Sequence, residues 1–311
     1  HWVTPVCVAI PAKNPTPRQV ATKIRTLTYL FMLFFLKVQK SGRGAKKSIF
    51  AQKIDAMQPL AQFLAKPYLH RPGNGVVTVS APSNIALVKY WGKKNNQIPA
   101  NPSISFTLDH CRTITSVAFS PKKNNSEFSF DLLFEGQPKP DFRPKIQKFF
   151  ERIAEYVPML HELHFAIDTQ NTFPHSSGIA SSASGMAALA FALVNIEKSL
   201  SPEIPENEWL QKASFLARLG SGSACRSIKG SVVIWGQHAD FIESSDLYAV
   251  EFPHTIHFNF KSYQDTILLV DKGKKEVSST VGHELMHGHW YAGQRFSQAH
   301  HNLAQLSGAL Q

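Results

Sequence analysis

The chain has 311 residues, 43% of them hydrophobic and 18% charged, which excludes a disordered polymer and allows one large domain or two modest ones. Three widely spaced cysteines, Cys7, Cys111 and Cys225, exclude a disulfide scaffold and point to a reducing compartment. The net charge of +11 is confined to one end: residues 1–54 carry ten Lys/Arg and no acid, leaving 23 basic against 22 acidic residues elsewhere.

Residues 1–56 read as a basic leader, non-native or disordered, ahead of the ordered part. Its apolar run at 29–36 (YLFMLFFL) is shorter than the ~20 residues a membrane span needs. No small-residue cleavage site follows, because Lys37-Val38-Gln39-Lys40 comes next. A transit peptide remains an alternative for such an acid-free segment.

From residue 76 the pattern sharpens. The β-branched run 76–81 is expected as a strand, 104–108 and 113–119 as paired strands, and 128–134 as a hairpin arm closed by Glu135-Gly136. Helical spacing at 145–156 puts Ile146, Phe149, Phe150 and Ile153 on one face. A strand at 163–169 leads to an apolar helix at 182–198. A further helix at 209–219 stops at Gly220. Strands at 232–235 and 266–270 and a helix at 283–306 complete the chain. Strands and helices interleave without a βαβ rhythm, so the fold class is α+β.

Three segments carry chemistry. The first, 174–185 (PHSSGIASSASG), is a Gly/Ser turn between a strand and a helix start. Backbone N–H groups and the helix dipole there favour phosphate, although a tightly packed helix start capped by Ser181 reads as well. It is not a Walker loop, which ends in Gly-Lys-Ser/Thr. The second, 220–227 (GSGSACRS), surrounds Arg226 with hydroxyls, a setting for a carboxylate or phosphate or else a solvated loop. The third, 84–93, sets Lys89 and Lys93 beside Tyr90 and Trp91, either gripping a polyanion or running as a half-buried strand with snorkelling lysines.

Together with 101–108 (NPSISFTL) and 276–280 (EVSST), these segments, beginning with 81–93 (APSNIALVKYWGK), resemble the diphosphomevalonate decarboxylases in order and wording over residues 57–311. That family belongs to the small-molecule kinases that include galactokinase, homoserine kinase and mevalonate kinase. The resemblance implies a two-lobed fold: a ribosomal-protein-S5-like lobe at 57–235 and an incomplete ferredoxin-like lobe at 236–311. It implies a cytoplasmic enzyme of isoprenoid and sterol synthesis that uses ATP and Mg2+ to convert 5-diphosphomevalonate to isopentenyl diphosphate and CO2. It implies no nucleic-acid or membrane partner and leaves a homodimer open.

Carried over residue by residue, Tyr90, Trp91, Gly92 and Lys93 hold the substrate diphosphate. The substrate loop is Ser221, Gly222, Ser223, Ala224, Cys225 and Arg226, with Thr280 a further contact. Arg226 holds the carboxylate, Asn84 steadies Arg226, and Lys89 lies beside the reacting groups. Gly178, Ser181 and Ser182 take the ATP phosphates, and Lys145 loosely matches a diphosphate-binding arginine. No metal ligand from the protein is implied. One departure stands out: the family's late catalytic aspartate has no counterpart, since Asp271 is the last aspartate. The expectation is a truncated chain that binds weakly or not at all in the normal manner, does not turn over and leaves apolar surface exposed.

Three other readings compete. A sister kinase acting on mevalonate or its monophosphate would share the fold. His283-Glu284-Leu285-Met286-His287 fits the zinc-protease H-E-x-x-H pattern, but Trp290 and Gly293 stand where the metzincin extension needs Gly and His. A non-enzymatic fragment whose basic leader binds nucleic acid is the third.

Overall fold

The computed structural model describes residues 60–70, 73–174, 178–268 and 279–311, with Ser279 and Thr280 described in backbone only. The expected leader at 1–56 lies outside these residues, as do 175–177 of the first Gly/Ser segment and 269–278, which include Asp271.

One mixed sheet organises the described residues. β1 (Gly75–Val88) and β2 (Ser103–Pro121) form a long antiparallel pair. The other edge of β2 takes β6 (Val232–Trp235) at 103–106 and β5 (Leu163–Asn171) at 113–121. β3 (Ser129–Phe134) runs parallel to β5 and turns back into the short β4 (Gln137–Pro138), while β7 (Ala249–Glu251) extends β6. Glu135 and Gly136 make the β3–β4 turn with φ of 53° and 73°, the paired positive values a tight hairpin favours.

The segments 104–108 and 113–119 do not pair with each other as expected. They are two halves of the single strand β2. The polar run Asp109-His110-Cys111 reads as a turn in sequence, but it is extra chain on β2: Pro82 faces Arg112 while the next residue, Ser83, faces Leu108.

α1 (Arg143–Ile153), α2 (Ser181–Leu200) and α3 (Glu206–Gly220) share the main core with one sheet face. On α1 the buried residues are Ile146, Phe149, Phe150 and Ile153, the face expected from spacing. α2 is buried nearly all round, which its Ala/Leu composition permits. The opposite sheet face is open at Val76, which is 69% exposed.

The expected helix at 283–306 is two helices, α4 (Ser279–Glu284) and α5 (Ala292–Leu310). Gly288, at φ 73°, sits in the break between them. α5 places Ala299, Leu303 and Leu310 in a second core with Val88, Ile104 and Ile234. Thr266–Leu268 of the expected strand are irregular, with no strand partner among the described residues. Apolar side chains are exposed in this region, as expected: Leu268 80%, Leu285 59% and Trp290 92%. Among the described residues no helix is long and apolar enough to cross a membrane.

Gly236, directly after β6, has φ 101°, and an added Cβ would lie 2.7 Å from the Pro102 Cα. Gly236→Ala therefore meets backbone strain and a backbone clash together. It is expected to cost about 1–3 kcal/mol or more, read as a lower urea midpoint at unchanged m-value.

Candidate functional site

The site assembles where β1 and β2 bend. Ser83 and Asn84 follow the register shift directly, and both are buried. Consecutive strand residues project to opposite faces, and here each reaches a different loop. The Ser83 hydroxyl donates to the Ile179 carbonyl in the first Gly/Ser segment. The Asn84 amide donates to the Ser223 carbonyl (3.2 Å) and the Ser227 hydroxyl (2.7 Å) in the second. Two adjacent positions thus tie both loops to one strand.

Arg226 lies in a tight turn at Gly222–Ser227 and is 3% exposed. Its Nε and Nη2 donate to Asn84 Oδ1 at 3.3 and 3.2 Å, and its Nη1 donates to the Ser103 hydroxyl at 2.6 Å. Its guanidinium lies 5.7 Å from the Trp235 ring centre. Among the ion pairs of the described residues none involves Arg226. Burial pushes its pKa down, because desolvation disfavours the charged guanidinium. A buried cation of this kind carries a standing demand for an anion.

Tyr90 faces the same turn. A Cβ at Gly222 would lie 3.0 Å from the Tyr90 hydroxyl and 3.0 Å from the Trp235 ring, so only glycine lets these groups close on the loop. Tyr90 packs edge-on against Trp235 at 4.9 Å, and burial raises its hydroxyl to a pKa of about 12, so it stays a neutral donor. Asn101 fixes the neighbouring backbone: its Oδ1 accepts from the Trp91 N–H at 2.9 Å, and its Nδ2 donates to the Lys89 carbonyl at 3.0 Å. The Lys89 side chain is exposed. Cys225 is buried; its thiol donates to the Gly222 carbonyl at 3.0 Å, and burial raises its pKa to about 12, which suits packing rather than reactivity. Ser221 begins the turn, its carbonyl accepting from the Ala224 N–H at 2.8 Å.

Desolvation lowers the Lys93 pKa, helped by the nearby Arg152 and Lys148 charges and opposed by Glu284. Lys145, Lys148 and Arg152 recur on α1 at helical spacing, forming a cationic stripe. At its lower end Arg152 donates to the Leu219 carbonyl at 2.9 Å, just before the second Gly/Ser segment. At its upper end the Lys145 ammonium donates to the Ser182 hydroxyl at 2.8 Å.

Ser181 and Ser182 open α2. The residue before them, Ala180, is left-handed at φ 51° and has no side chain able to cap, so the capping role read for Ser181 is not filled by a side chain. Gly178, at φ 84°, begins this turn. Beside it is a cavity of about 160 Å³ lined by Thr113, Thr115, Thr169 and Asn171, with Lys145 of α1 and Ser182 at the start of α2. Its remaining wall is apolar, with Phe134, Phe142 and Met186 among the lining residues.

The zinc pattern does not form the helix it needs. α4 ends at Glu284, so His287 falls in the following turn. Among the described residues no group of three metal-binding side chains converges. Thr280 lies in α4, its side chain outside the described residues.

The chain matches the diphosphomevalonate decarboxylase-like N-terminal domain over residues 81–249, more than half its length. The chain belongs to the diphosphomevalonate decarboxylase-like family. It is 35% identical to the diphosphomevalonate decarboxylase of Candida albicans, the match covering 66% of this chain and 56% of that one. It is also 35% identical to the Saccharomyces cerevisiae enzyme, over 67% of this chain and 52% of that one. The chain thus spans about half the length of the curated relatives it matches. Its α+β fold matches the crystal structure of Staphylococcus aureus mevalonate diphosphate decarboxylase with TM-score 0.61 and 29% identity, covering 76% of this chain and 68% of that one. A structure described as MDDEF in complex with MVAPP, AMPPCP and magnesium matches with TM-score 0.59 and 28% identity, over 76% and 68% of the two chains.

Within this family fold, sequence reasoning missed five positions around Arg226 and Tyr90: Asn101, Ser103, Arg218, Ser227 and Trp235. The quoted segments already contained Asn101, Ser103 and Ser227, but nothing in their wording names the partners they meet. Arg218 gave no local signal. It is fully buried and donates to the Leu247 and Asn96 carbonyls, bracing the turn that follows Lys93 from 122 residues away.

Proposed function

We propose that this chain carries the nucleotide- and substrate-binding half of an ATP-dependent diphosphomevalonate decarboxylase. The observation that carries this reading is the buried Arg226 fork, set by Asn84 and Ser103 beside Tyr90 and Gly222, with no acidic partner among the described residues. A fork of this shape takes a carboxylate. Lys93, with Lys148 and Arg152 of α1 behind it, takes the diphosphate, so the two ends of 5-diphosphomevalonate are held apart by groups of different geometry.

The start of α2, Ser182 and Lys145 take the ATP phosphates, with the base toward the neighbouring cavity. Magnesium on those phosphates supplies charge neutralisation for transfer to the 3-hydroxyl. Loss of the transferred phosphate builds positive character at C3. Arg226 orients the carboxylate that then leaves as CO2, and the neutral Tyr90 hydroxyl adds no charge that would oppose it. No aspartate follows Asp271 in this sequence.

Calorimetric titration tests the reading. Lys145→Met removes one charge-assisted contact, worth about 1.5–3 kcal/mol, so affinity for a non-hydrolysable ATP analogue with magnesium should fall about tenfold or more. Unchanged nucleotide affinity, or an equal fall for inorganic sulfate placed anywhere on the surface, would sink the nucleotide half of the proposal. A chain that binds mevalonate as well as its diphosphate would favour the sister-kinase reading instead.

A further inference from the structure

Lys93 stands on a small hairpin. The Lys94 N–H donates to the Ile98 carbonyl at 2.7 Å and the Ala100 N–H to the Gly92 carbonyl at 2.9 Å, with Lys93 bridged to Pro99 between them. Its base is held from two sides. Asn101 Oδ1 accepts from the Trp91 N–H, while His283 donates from Nδ1 to the Trp91 carbonyl at 3.0 Å and stacks its ring on Tyr90 with centres 4.1 Å apart. Its tip has an uncommon backbone. Asn96 and Gln97 are both left-handed, at φ 55° and 61°. Paired positive φ is the pattern of a two-residue hairpin turn, which Asn-Gly fills best. A glutamine at the second position is strained and persists only where its surroundings hold it.

Arg218 holds that tip. It lies on α3, fully buried, and its Nη1 donates to the Asn96 carbonyl. Its Nε donates to the Leu247 carbonyl at 2.6 Å. The guanidinium lies 5.2 Å from the Phe215 ring centre, and Nη2 is buried with no hydrogen-bond partner among the described residues. A cation buried in this way is expensive for a position that needs only a core side chain. The Leu247 end is anchored by other bonds: the Trp235 indole donates to the Asp246 carbonyl at 3.0 Å, and the Gly236 N–H to the Ser245 carbonyl at 2.9 Å. The hairpin end is exposed at Lys94, Asn95 and Asn96, so it is the end that Arg218 steadies.

We propose that Arg218 is a positioning residue for the substrate: it clamps the 92–100 hairpin to the 245–247 segment and so fixes Lys93 relative to the Arg226 turn. The inference rests on the assignment of Lys93 to the substrate diphosphate. Arg218 acts through the strained tip at one end. At the other it shares an anchor with Trp235, the floor of Arg226.

The test titrates 5-diphosphomevalonate into the full chain and into its Arg218→Met, Lys93→Met and doubly substituted forms. Arg218→Met removes a charge-assisted contact and should weaken binding about tenfold. It should add no further loss once Lys93 is methionine, because both changes act on one contact. Gln97→Gly places Asn-Gly at the tip, where the turn holds itself, and should restore most of the affinity lost by Arg218→Met. Asn96→Val, a β-branched residue forced to positive φ on the exposed tip, should reproduce the loss and replaces Arg218→Met if that variant does not fold. Without ligand, amide exchange should speed up at 92–100 in Arg218→Met and stay unchanged at 104–108. Full affinity in both Arg218→Met and Asn96→Val, a further loss on top of Lys93→Met, or no rescue by Gln97→Gly makes Arg218 a core brace and overturns the clamp, leaving the site assignment standing. Undiminished binding by Lys93→Met, or no binding by any form, overturns the assignment of Lys93 and the clamp with it.

Discussion

Arg226→Met is expected to weaken 5-diphosphomevalonate binding by a factor on the order of 100 to 1,000 while leaving the unliganded fold about as stable as before. The binding loss follows from removing one side of a buried, hydrogen-bonded charge pair, which costs about 2–5 kcal/mol. The stability outcome is a balance. Methionine leaves Asn84 Oδ1 and the Ser103 hydroxyl without their donor, at about 1–3 kcal/mol for each buried group left unsatisfied. Against this, it removes a desolvated guanidinium with no acidic partner, a penalty of several kcal/mol by general experience with buried ions. The lowered Arg226 pKa has the same cause, burial that disfavours its charged form. Urea denaturation and calorimetric titration of the same samples separate the two effects. A loss of stability above about 4 kcal/mol with ligand affinity retained would make Arg226 a structural brace, contrary to the proposal.

Lys212→Met should be the most damaging single change in the core, at about 3–5 kcal/mol. Lys212 on α3 donates to Glu197 on α2 at 2.7 Å, with side chains 9% and 1% exposed. Removing the ammonium strands a carboxylate whose second oxygen already has no partner among the described residues. Burial already holds the Glu197 pKa up despite Lys212, and losing the lysine raises it further. The sign of the pH dependence follows. A carboxyl with a raised folded pKa binds more protons when folded, so stability falls as pH rises from the unfolded value, about 4.3, through the folded one. The Lys212→Met deficit should therefore shrink on acidification across that window. Glu197→Leu added to Lys212→Met should recover most of it, because apolar replacement of a whole buried pair is often neutral or stabilising. Denaturation midpoints of the two variants at pH 4.5 and pH 7.5 check both statements; a deficit that grows in acid would refute them.

How much of this was legible beforehand depended on whether the signal was local. The Gly/Ser loop around Arg226 and the start of α2 were readable because glycine, serine and arginine at short spacing limit what a loop can do. The α1 face at Ile146, Phe149, Phe150 and Ile153 was readable from period alone. The single strand β2 was not, because Asp109-His110-Cys111 has a turn's composition and only the partner strand shows it to be inserted chain. The break before α5 was hidden because one glycine among histidines does not interrupt an apolar pattern. His283 drew attention as a metal ligand, whereas the structure gives it to Tyr90 and Trp91. Arg218 and Trp235 act across the sheet, and nothing in their sequence neighbourhoods records their partners.

The path of β2 also bears on the order in which the molecule comes together. β1 and β2 are near neighbours in the chain, and β3 and β5 join them with moderate loops. The pairing of Ser103 with Trp235 closes a separation of 132 residues, the kind of contact that forms late because its loop entropy must be met first. On a ribosome, the cavity between β2, β3, β5 and α2 can take shape while β6 is still being synthesised. Arg226 gains its Trp235 floor only afterwards. The setting of Arg226 thus closes late in the sheet, and early arrest would yield chains in which the cavity beside α2 has formed before Arg226 has its floor.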